Sequence, residues 1–473
     1  MIDRRIFGTV SVFSLLMLPG ATAAYADQEF TYDGGKRADF MAVQERNKAQ
    51  LKAMRAKGAA RVALSAAGPG GDDDGTCVDG VASGEFPCSE IDMAAHIGIE
   101  DFAVLSELTG LPEEESDIAI FNDIWGYTDQ ETRREYALLG ATQGMIVIEV
   151  TVPSSPEIIG ILPSQGYDIF EDDQAEGNFW RDIKVFDGHA FIVSEQTDQG
   201  MQVMDLTALA DVDTSEGPVA FEAIANYDKF SSAHNIAINV DSGFAYAVGT
   251  NTCLGGIEMI DISDPANPVD AGCFKEDGYI HDTQCVIYEG PDERYQDREI
   301  CINSAGDPFV PDDDPGATAI SVIDVTDKTD VQRLVYLSYG GEALPGYSHQ
   351  GWLTLDQRYF IHGDELDELL GSVTTTTTRI WDMADLTNPT LITEATNDNP
   401  SIDHNLYTRG IYSIHANYSS GLRIFNAENV GDGELEEVAF FDIRPEDDEP
   451  DFEGGAWSSY CYYAFQSRDT CAV

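Results

Sequence analysis

One short plan returns six times along this chain, and it leaves little choice of fold. The stretches FNDIWGYTD (121–129), WRDIKVFDG (180–188), AHNIAINVDSG (233–243), IHDTQCVIY (280–288), SHQGWLTLD (348–356) and DHNLYTRG (403–410) each open on a polar pair and continue as a short strand. A second apolar strand follows each one, for example EYALLGA, FAYAVGT or RYFIHGDE. A third strand usually ends in Asp and a turn, as in IEMIDISDPANP and TRIWDMADLTNP, and a fourth closes most units. Between the second members of the opening pairs, Asp123, Asp182, Asn235, Asp282, Gln350 and Asn405, the steps are 59, 53, 47, 68 and 55 residues. Four strands per roughly 40–50 residues is the pattern of propeller blades. The insertions SQGYDIFEDDQAEGN and GDPFVPDDDPG account for the long steps. Alternating strands with Gly, Asp and Pro turns exclude a helical solenoid.

A further 52 residues on, GGAWSSYCYYAF puts Trp457 where another opening pair would fall. The expected fold is an all-β, seven-bladed β-propeller of four-stranded blades over 77–473, with blades starting near 121, 180, 233, 280, 348, 403 and 455. A six-bladed ring with a C-terminal tail is the runner-up. The 17 residues from Trp457 to Val473 are too few for four strands, so SEIDMAAHIGIEDF (89–102) is expected to dock there and complete the last blade.

Residues 1–26 have the anatomy of a secretory signal peptide. Arg4 and Arg5 precede an apolar stretch, Ile6 to Leu18, that is too short to span a bilayer, and Ala24-Tyr25-Ala26 offers a small-x-small cleavage site. A helical leader (27–66) and a linker (67–76, AAGPGGDDDG) follow. The expectation is export, to the medium, periplasm or cell surface, with no transmembrane segment. Eight cysteines fit that compartment. They fall as sequence neighbours, and disulfides are expected between Cys77 and Cys88, Cys253 and Cys273, Cys285 and Cys301, and Cys461 and Cys471. No Cys-x-x-Cys occurs, which argues against a zinc ribbon or thioredoxin-type site.

The chain carries 85 Asp and Glu against 26 Lys and Arg, a formal charge of −59. Eight of the basic residues lie in the leader, so residues 67–473 stand at −63. Such a surface repels phosphate backbones and anionic headgroups, which excludes nucleic acid as a partner. Acidity of this kind also maintains solubility in saline surroundings and need not be functional.

Long motifs carry a family resemblance: NDIWGYTD, WRDIKVFDGHAFIVSE, GYIHDTQCVIYEGPDERYQDREIC, SHQGWLTLDQRYFIHGDE, DHNLYTRGIYSIHANYSSGLRIF and FEGGAWSSY. Over about residues 76 to 460 the chain resembles the choice-of-anchor B proteins, within the wider group of LVIVD-repeat propellers. The resemblance implies an exported bacterial β-propeller whose relatives differ in their C-terminal anchors, and it implies no particular chemistry. The pattern departs at the end. After GAWS the chain reads YCYYAFQSRDTCAV, so no anchor is expected here.

The usual catalytic signatures are missing: there is no Gly-x-Ser-x-Gly, His-Glu-x-x-His, P-loop or dinucleotide fingerprint. The acidic runs Asp72-Asp73-Asp74 and Asp312-Asp313-Asp314 lack EF-hand spacing and read as solvated loops, with weak calcium sites as the minority reading. The opening pairs are the one constellation with chemistry in it. His234, His281, His349 and His404 hold the first position in four consecutive blades, preceded by Asn122 and Arg181. Equivalent positions on a propeller converge on one axis. Four imidazoles there, with Asp123, Asp182 and Asp282 beside them, would take one transition metal or a calcium ion, with Glu195, Asp364 and Glu365 as orienting carboxylates. The simpler expectation is a hydrogen-bonded His/Asp/Asn belt that locks blade to blade. His96, His189, His362 and His415 suit core or turn roles. Trp125, Trp180, Trp352, Trp381 and Trp457 suit packing between blades. The function expected first is a binding or scaffold protein, engaging a protein, peptide or glycan outside the cytoplasm through loops of one face. The alternative is a metal-dependent enzyme, oxidoreductase or hydrolase, with a His-ringed site at the channel mouth.

Overall fold

The structure, a computed structural model, describes residues 9–12, 75–110, 120–165, 180–306, 318–339, 347–452 and 454–473. The leader, most of the signal segment, both acidic runs and most of both insertions lie outside the described residues.

Six sheets, each built on four antiparallel strands, follow one another along the chain from the six polar-pair stretches; Val219–Ala220 adds in parallel to the edge of the first, and two short N-terminal strands extend the sixth. Their inner strands are Phe121–Thr128, Arg181–Phe186, Asn235–Asn239, Ile280–Ile287, Gln350–Leu353 and Leu406–Arg409. Within a blade the chain meanders outward, as in Ile280–Ile287, Glu299–Ala305, Ala319–Asp324 and Gln332–Ser338. Burial follows the same direction. Glu299–Ala305 is buried at every residue because blades pack against both of its faces, whereas Gln332–Ser338 on the outer edge is half-exposed.

Two local devices recur. The ladder between the third and fourth strands slips by one residue in five blades, at Val147/Ile148, Met259/Ile260, Val322/Ile323, Ile380/Trp381 and Ile424/Phe425. A bulge of this kind raises local twist. The Asp that ends the third strand folds back on its own backbone: Asp205, Asp261, Asp324 and Asp382 each accept the N–H two residues on, at 2.9–3.0 Å.

The ring has six blades, not seven. Residues from Trp457 onward form no four-stranded sheet. They contribute one isolated bridge, Tyr460–Ala472, and the strand Thr470–Ala472, just after a bridge between Ala456 and Tyr418. The cause is length: the Cys461–Cys471 disulfide folds these few residues into a closed loop. Of the segment 89–102 expected to complete a seventh blade, only Ser89 joins a blade's sheet, at the end of a strand that begins before it. Phe86–Ser89 adds to the outer edge of blade six, pairing Phe440 with Ser89 and Phe441 with Cys88. Asp92–His96 pairs in parallel with Thr9–Val12, which in turn pairs in parallel with Thr470–Ala472.

Closure is made instead by a C-terminal wedge between blades six and one. The Tyr462 hydroxyl donates to Thr408 O at 2.8 Å, and the Tyr463 hydroxyl to Tyr136 O at 3.2 Å. Glu135, fully buried, accepts the N–H groups of Ala464, Phe465 and Ser467 at 2.8, 2.8 and 2.7 Å. The Tyr460 ring lies so close to blade one that a β-carbon on Gly126 would meet it at 2.1 Å.

All four expected disulfides form. Cys253–Cys273 ties the approach to the third strand of blade three to its fourth strand. Cys285–Cys301 joins directly paired residues of the first two strands of blade four. No described helix is long and apolar enough to cross a membrane.

His189 opens the second strand of blade two, its Nδ1 2.7 Å from Asp187 O in the preceding turn, while His362 and His415 are core residues. Burial pushes the His415 imidazole down to about 3. The unfolded chain takes up that proton near 6.5, so this contribution to stability is complete above that pH and is lost as pH falls toward 3. His415→Gln should therefore flatten the acid limb. Between about pH 6 and 4, unfolding free energy should fall less steeply than in the parent, by about 1.4 kcal/mol per pH unit. Denaturant titrations at several pH values give the difference, in which the titrating carboxylates cancel.

Candidate metal centre

Equivalent blades start their inner strands at the same mouth of the channel, so the first residues of the opening pairs meet there. His234 precedes Asn235–Asn239, His281 is the second residue of Ile280–Ile287, His349 precedes Gln350–Leu353, and His404 lies just before Leu406–Arg409. All four are buried, at 8%, 2%, 1% and 3% exposure. Their rings form an arc with centroid separations of 4.3 Å (His234–His281), 4.1 Å (His281–His349) and 4.4 Å (His349–His404).

The outer nitrogens of three rings are held by acceptors. His234 Nδ1 lies 2.5 Å from Glu195 Oε1, His281 Nδ1 lies 2.8 Å from His349 O, and His404 Nδ1 bonds to Trp457 O. A carboxylate or carbonyl cannot donate, so each Nδ1 carries a proton, and in the neutral ring each Nε2 presents a lone pair. The Nε2 atoms of His234 and His281 lie 2.7 Å apart. Two lone pairs facing each other at that distance repel unless a cation, proton or metal, sits with them. Glu365 adds a carboxylate to the same side, 3.5 Å from the Nε2 atoms of both His349 and His404, and the Tyr418 hydroxyl donates to it at 2.8 Å. His281, His349 and Glu365 each bring a ligand atom within 4.8 Å of the others.

Aromatic rings cover the arc. Tyr347 lies 5.2 Å from His281, and Tyr418 and Trp457 lie 4.8 and 4.5 Å from His404. The donor set of imidazole nitrogen and one carboxylate suits zinc, copper or iron, and the outer acceptors orient the rings as second-layer partners do in metal sites.

The second residues of the opening pairs make the belt. Asp123 Oδ2 accepts Ile183 N at 3.2 Å, Asp182 Oδ2 accepts Ile236 N at 2.7 Å, and Asn235 donates to His281 O at 3.0 Å. Gln350 exchanges two bonds with Leu406, at 2.9 and 3.0 Å. Each of these joins one blade to the next. Adjacent residues of the opening pairs thus separate, the histidines into the arc, where His234 and His281 also bond across blades, and their neighbours into the belt. Asp123 and Asp182 belong to the belt. Lys184 pairs with Asp182 and lies 3.8 Å from Asp123. Burial pushes Asp123 well above the usual range, while Asp182, against the same burial, is held below it by Lys184. Burial, then the charge of Asp182, raises Asp282 to about 7. In blade one the first position serves locally, Asn122 accepting Asp123 N, whereas Arg181 of blade two reaches back to blade one and donates to Ala141 O and Ser164 Oγ.

Of the expected orienting carboxylates, Glu195 and Glu365 reach the imidazoles, while Asp364 pairs with Arg379. Sequence reasoning missed Tyr418, the Trp457 carbonyl and a second buried acidic group. That group is Asp367, Glu368 and Asp403, each bringing an oxygen within 4.8 Å of the others. Burial, then the charges of Asp403 and Asp367, drives Glu368 up to about 12, and burial raises Asp364 to about 8. The available signal was the run Asp364-Glu365-Leu366-Asp367-Glu368 directly after a strand, with Asp403 directly before His404.

The tryptophans pack between blades, Trp125 and Trp352 both against Tyr407, at 5.4 and 5.0 Å. An open pocket lined by Pro87, Arg423, Phe440 and Asp442 shares no residue with the histidine arc.

No family model and no curated protein matches this chain. Solved structures similar to it include a protein from Lactobacillus plantarum, 14% identical at a TM-score of 0.40, covering 68% of this chain and 82% of that one. The periplasmic gluconolactonase PpgL of Pseudomonas aeruginosa is 10% identical at a TM-score of 0.43, covering 68% and 86%. The Cps50 (Swd1) β-propeller domain of Myceliophteria thermophila is 10% identical at 0.39, covering 71% and 89%. Likenesses at this level carry no argument about activity. By its own sheet topology the chain is a six-bladed β-propeller, and choice-of-anchor B stays a resemblance of motifs.

Proposed function

We propose that the protein is an exported metalloprotein, a β-propeller that holds one transition-metal ion among His234, His281, His349, His404 and Glu365. The observation that carries this reading is the pair of facing Nε2 atoms, 2.7 Å apart, on rings whose other nitrogens already donate. A proton shared between the rings would also relieve the repulsion. It would leave unexplained why two further imidazoles and a buried carboxylate crowd the same side. Export is supported by the signal-peptide anatomy and by four disulfides.

Bound there, a first-row ion would supply redox or Lewis-acid chemistry. The chain's own residues fix three ring orientations, place a carboxylate and screen the arc with aromatic rings. Hydrolysis needs water and substrate at the ion, whereas electron transfer does not, so near-complete burial of the histidines favours an oxidoreductase role over a hydrolytic one. Protein purified without a tag should contain close to one equivalent of iron, copper or zinc by elemental analysis. Metal-free protein whose melting temperature ignores all three ions would overturn the reading and leave ligand binding through the loops of one face.

A further inference from the structure

We propose that Asp367, Glu368 and Asp403 form a second cation site, for calcium, beside the histidine centre and sharing no ligand with it. The three side chains are 1%, 4% and 1% exposed, and each brings an oxygen within 4.8 Å of the other two. Each is anchored to the surrounding strands and turns through one of its oxygens. Asp367 Oδ2 accepts from Arg379 at 3.2 and 3.3 Å, Glu368 Oε1 accepts Thr377 N at 2.9 Å, and Asp403 Oδ2 accepts Asp364 N at 3.1 Å. Asp403 Oδ1 has no hydrogen-bond partner among the described residues, and the Asp367 and Glu368 side chains bond to each other, which two carboxylates can do only while a proton stands where a cation could. Three carboxyls this deeply buried are costly beside a single guanidinium that also serves Asp364 and Glu394, and a divalent cation in place of the shared proton would offset that cost.

The donors are all oxygen, which selects a hard cation. Magnesium keeps several waters and demands octahedral geometry, whereas calcium accepts mono- and bidentate carboxylates in a flexible shell, which suits a site this buried. Two segments supply it: the run after the second strand of blade five, and the residue before His404 in blade six. The ion would thus rivet one blade to the next.

The test uses the full chain dialysed free of divalent ions and titrated with calcium chloride by calorimetry and thermal melting. Magnesium chloride is the control for general screening of a strongly acidic surface. The expected result is one saturable calcium equivalent and a rise in melting temperature that magnesium does not reproduce. Asp403→Asn should weaken that binding at least about tenfold, a loss typical even of outer partners in metal sites. If Asp403→Asn does not fold, Glu368→Gln serves the same comparison. Calcium and magnesium acting alike, or a folded variant binding calcium as tightly as the parent, would overturn the site. Running the titration on His281→Ala keeps the two centres distinguishable, since calcium uptake should persist there whether or not the histidines hold a metal.

Discussion

Exchanging Glu135 for leucine should unfasten the ring. This carboxylate is fully buried on the second strand of blade one, yet its partners are three backbone N–H groups of the C-terminal wedge. Bonds to a charged acceptor contribute about 1.5–3 kcal/mol each, and a buried donor left without an acceptor costs a further share of its desolvation. Allowing for non-additivity, Glu135→Leu should lower unfolding free energy by about 3–5 kcal/mol, read from the midpoint of a denaturant transition. Amide exchange should locate the damage: protection should fall first over residues 456–473 and the facing strands of blades one and six. Glu135→Gln keeps the shape and one acceptor oxygen and should lose less. A leucine variant as stable as its parent would mean that the wedge is decoration and that the ring closes by other contacts.

His281→Ala should abolish metal binding. His281 stands between two neighbours in the arc, its Nε2 facing His234 and its ring 4.1 Å from that of His349. Removing a direct ligand should cost more than the 10–100-fold typical of an outer partner, so the purified variant should carry almost no iron, copper or zinc. The companion variant is Asp182→Asn, one residue into the preceding inner strand. It keeps an acceptor for Ile236 N but loses the charge opposite Lys184. Its expected signature is the reverse: metal content unchanged and stability lower by about 1–3 kcal/mol. If both variants lose stability and neither changes metal content, the histidines are part of the belt and the centre does not exist.

The fold was legible because strand periodicity and turn residues are local. The Asp that ends four of the six third strands could be read as a turn from its neighbours alone, and the cysteine pairs, each within 20 residues, were as local. The blade count was misread for the opposite reason. Trp457 falls at the right interval, but its surroundings fold as a disulfide-closed loop, and what closes the ring is a set of contacts with Glu135 that leaves no periodic trace. The site was half legible. The shared position of four histidines survives into the structure, because a common place in the repeat becomes a common place around an axis. Its division from the belt does not show in sequence, since neighbouring residues with the same polarity part to opposite sides only once the strand exists. The acidic triad was hidden by abundance: among 85 Asp and Glu, only burial separates three that matter from the rest.

The strand Phe86–Ser89 ties the start of the chain to the outer edge of blade six, but between blades six and one the ring is fastened by side chains and has a seam. The bonds across it join residues 327 to 332 positions apart, so their loop-closure cost is among the highest in the molecule, and local fluctuations open such contacts before they melt a blade. Trp457 belongs to the same segment, and its carbonyl fixes the tautomer of His404. Each breath of the seam therefore also releases one imidazole. Exchange of an ion at the centre would be clocked by that breathing rather than by passage along the channel. A centre built this way can retain its ion for long times at ordinary equilibrium affinity.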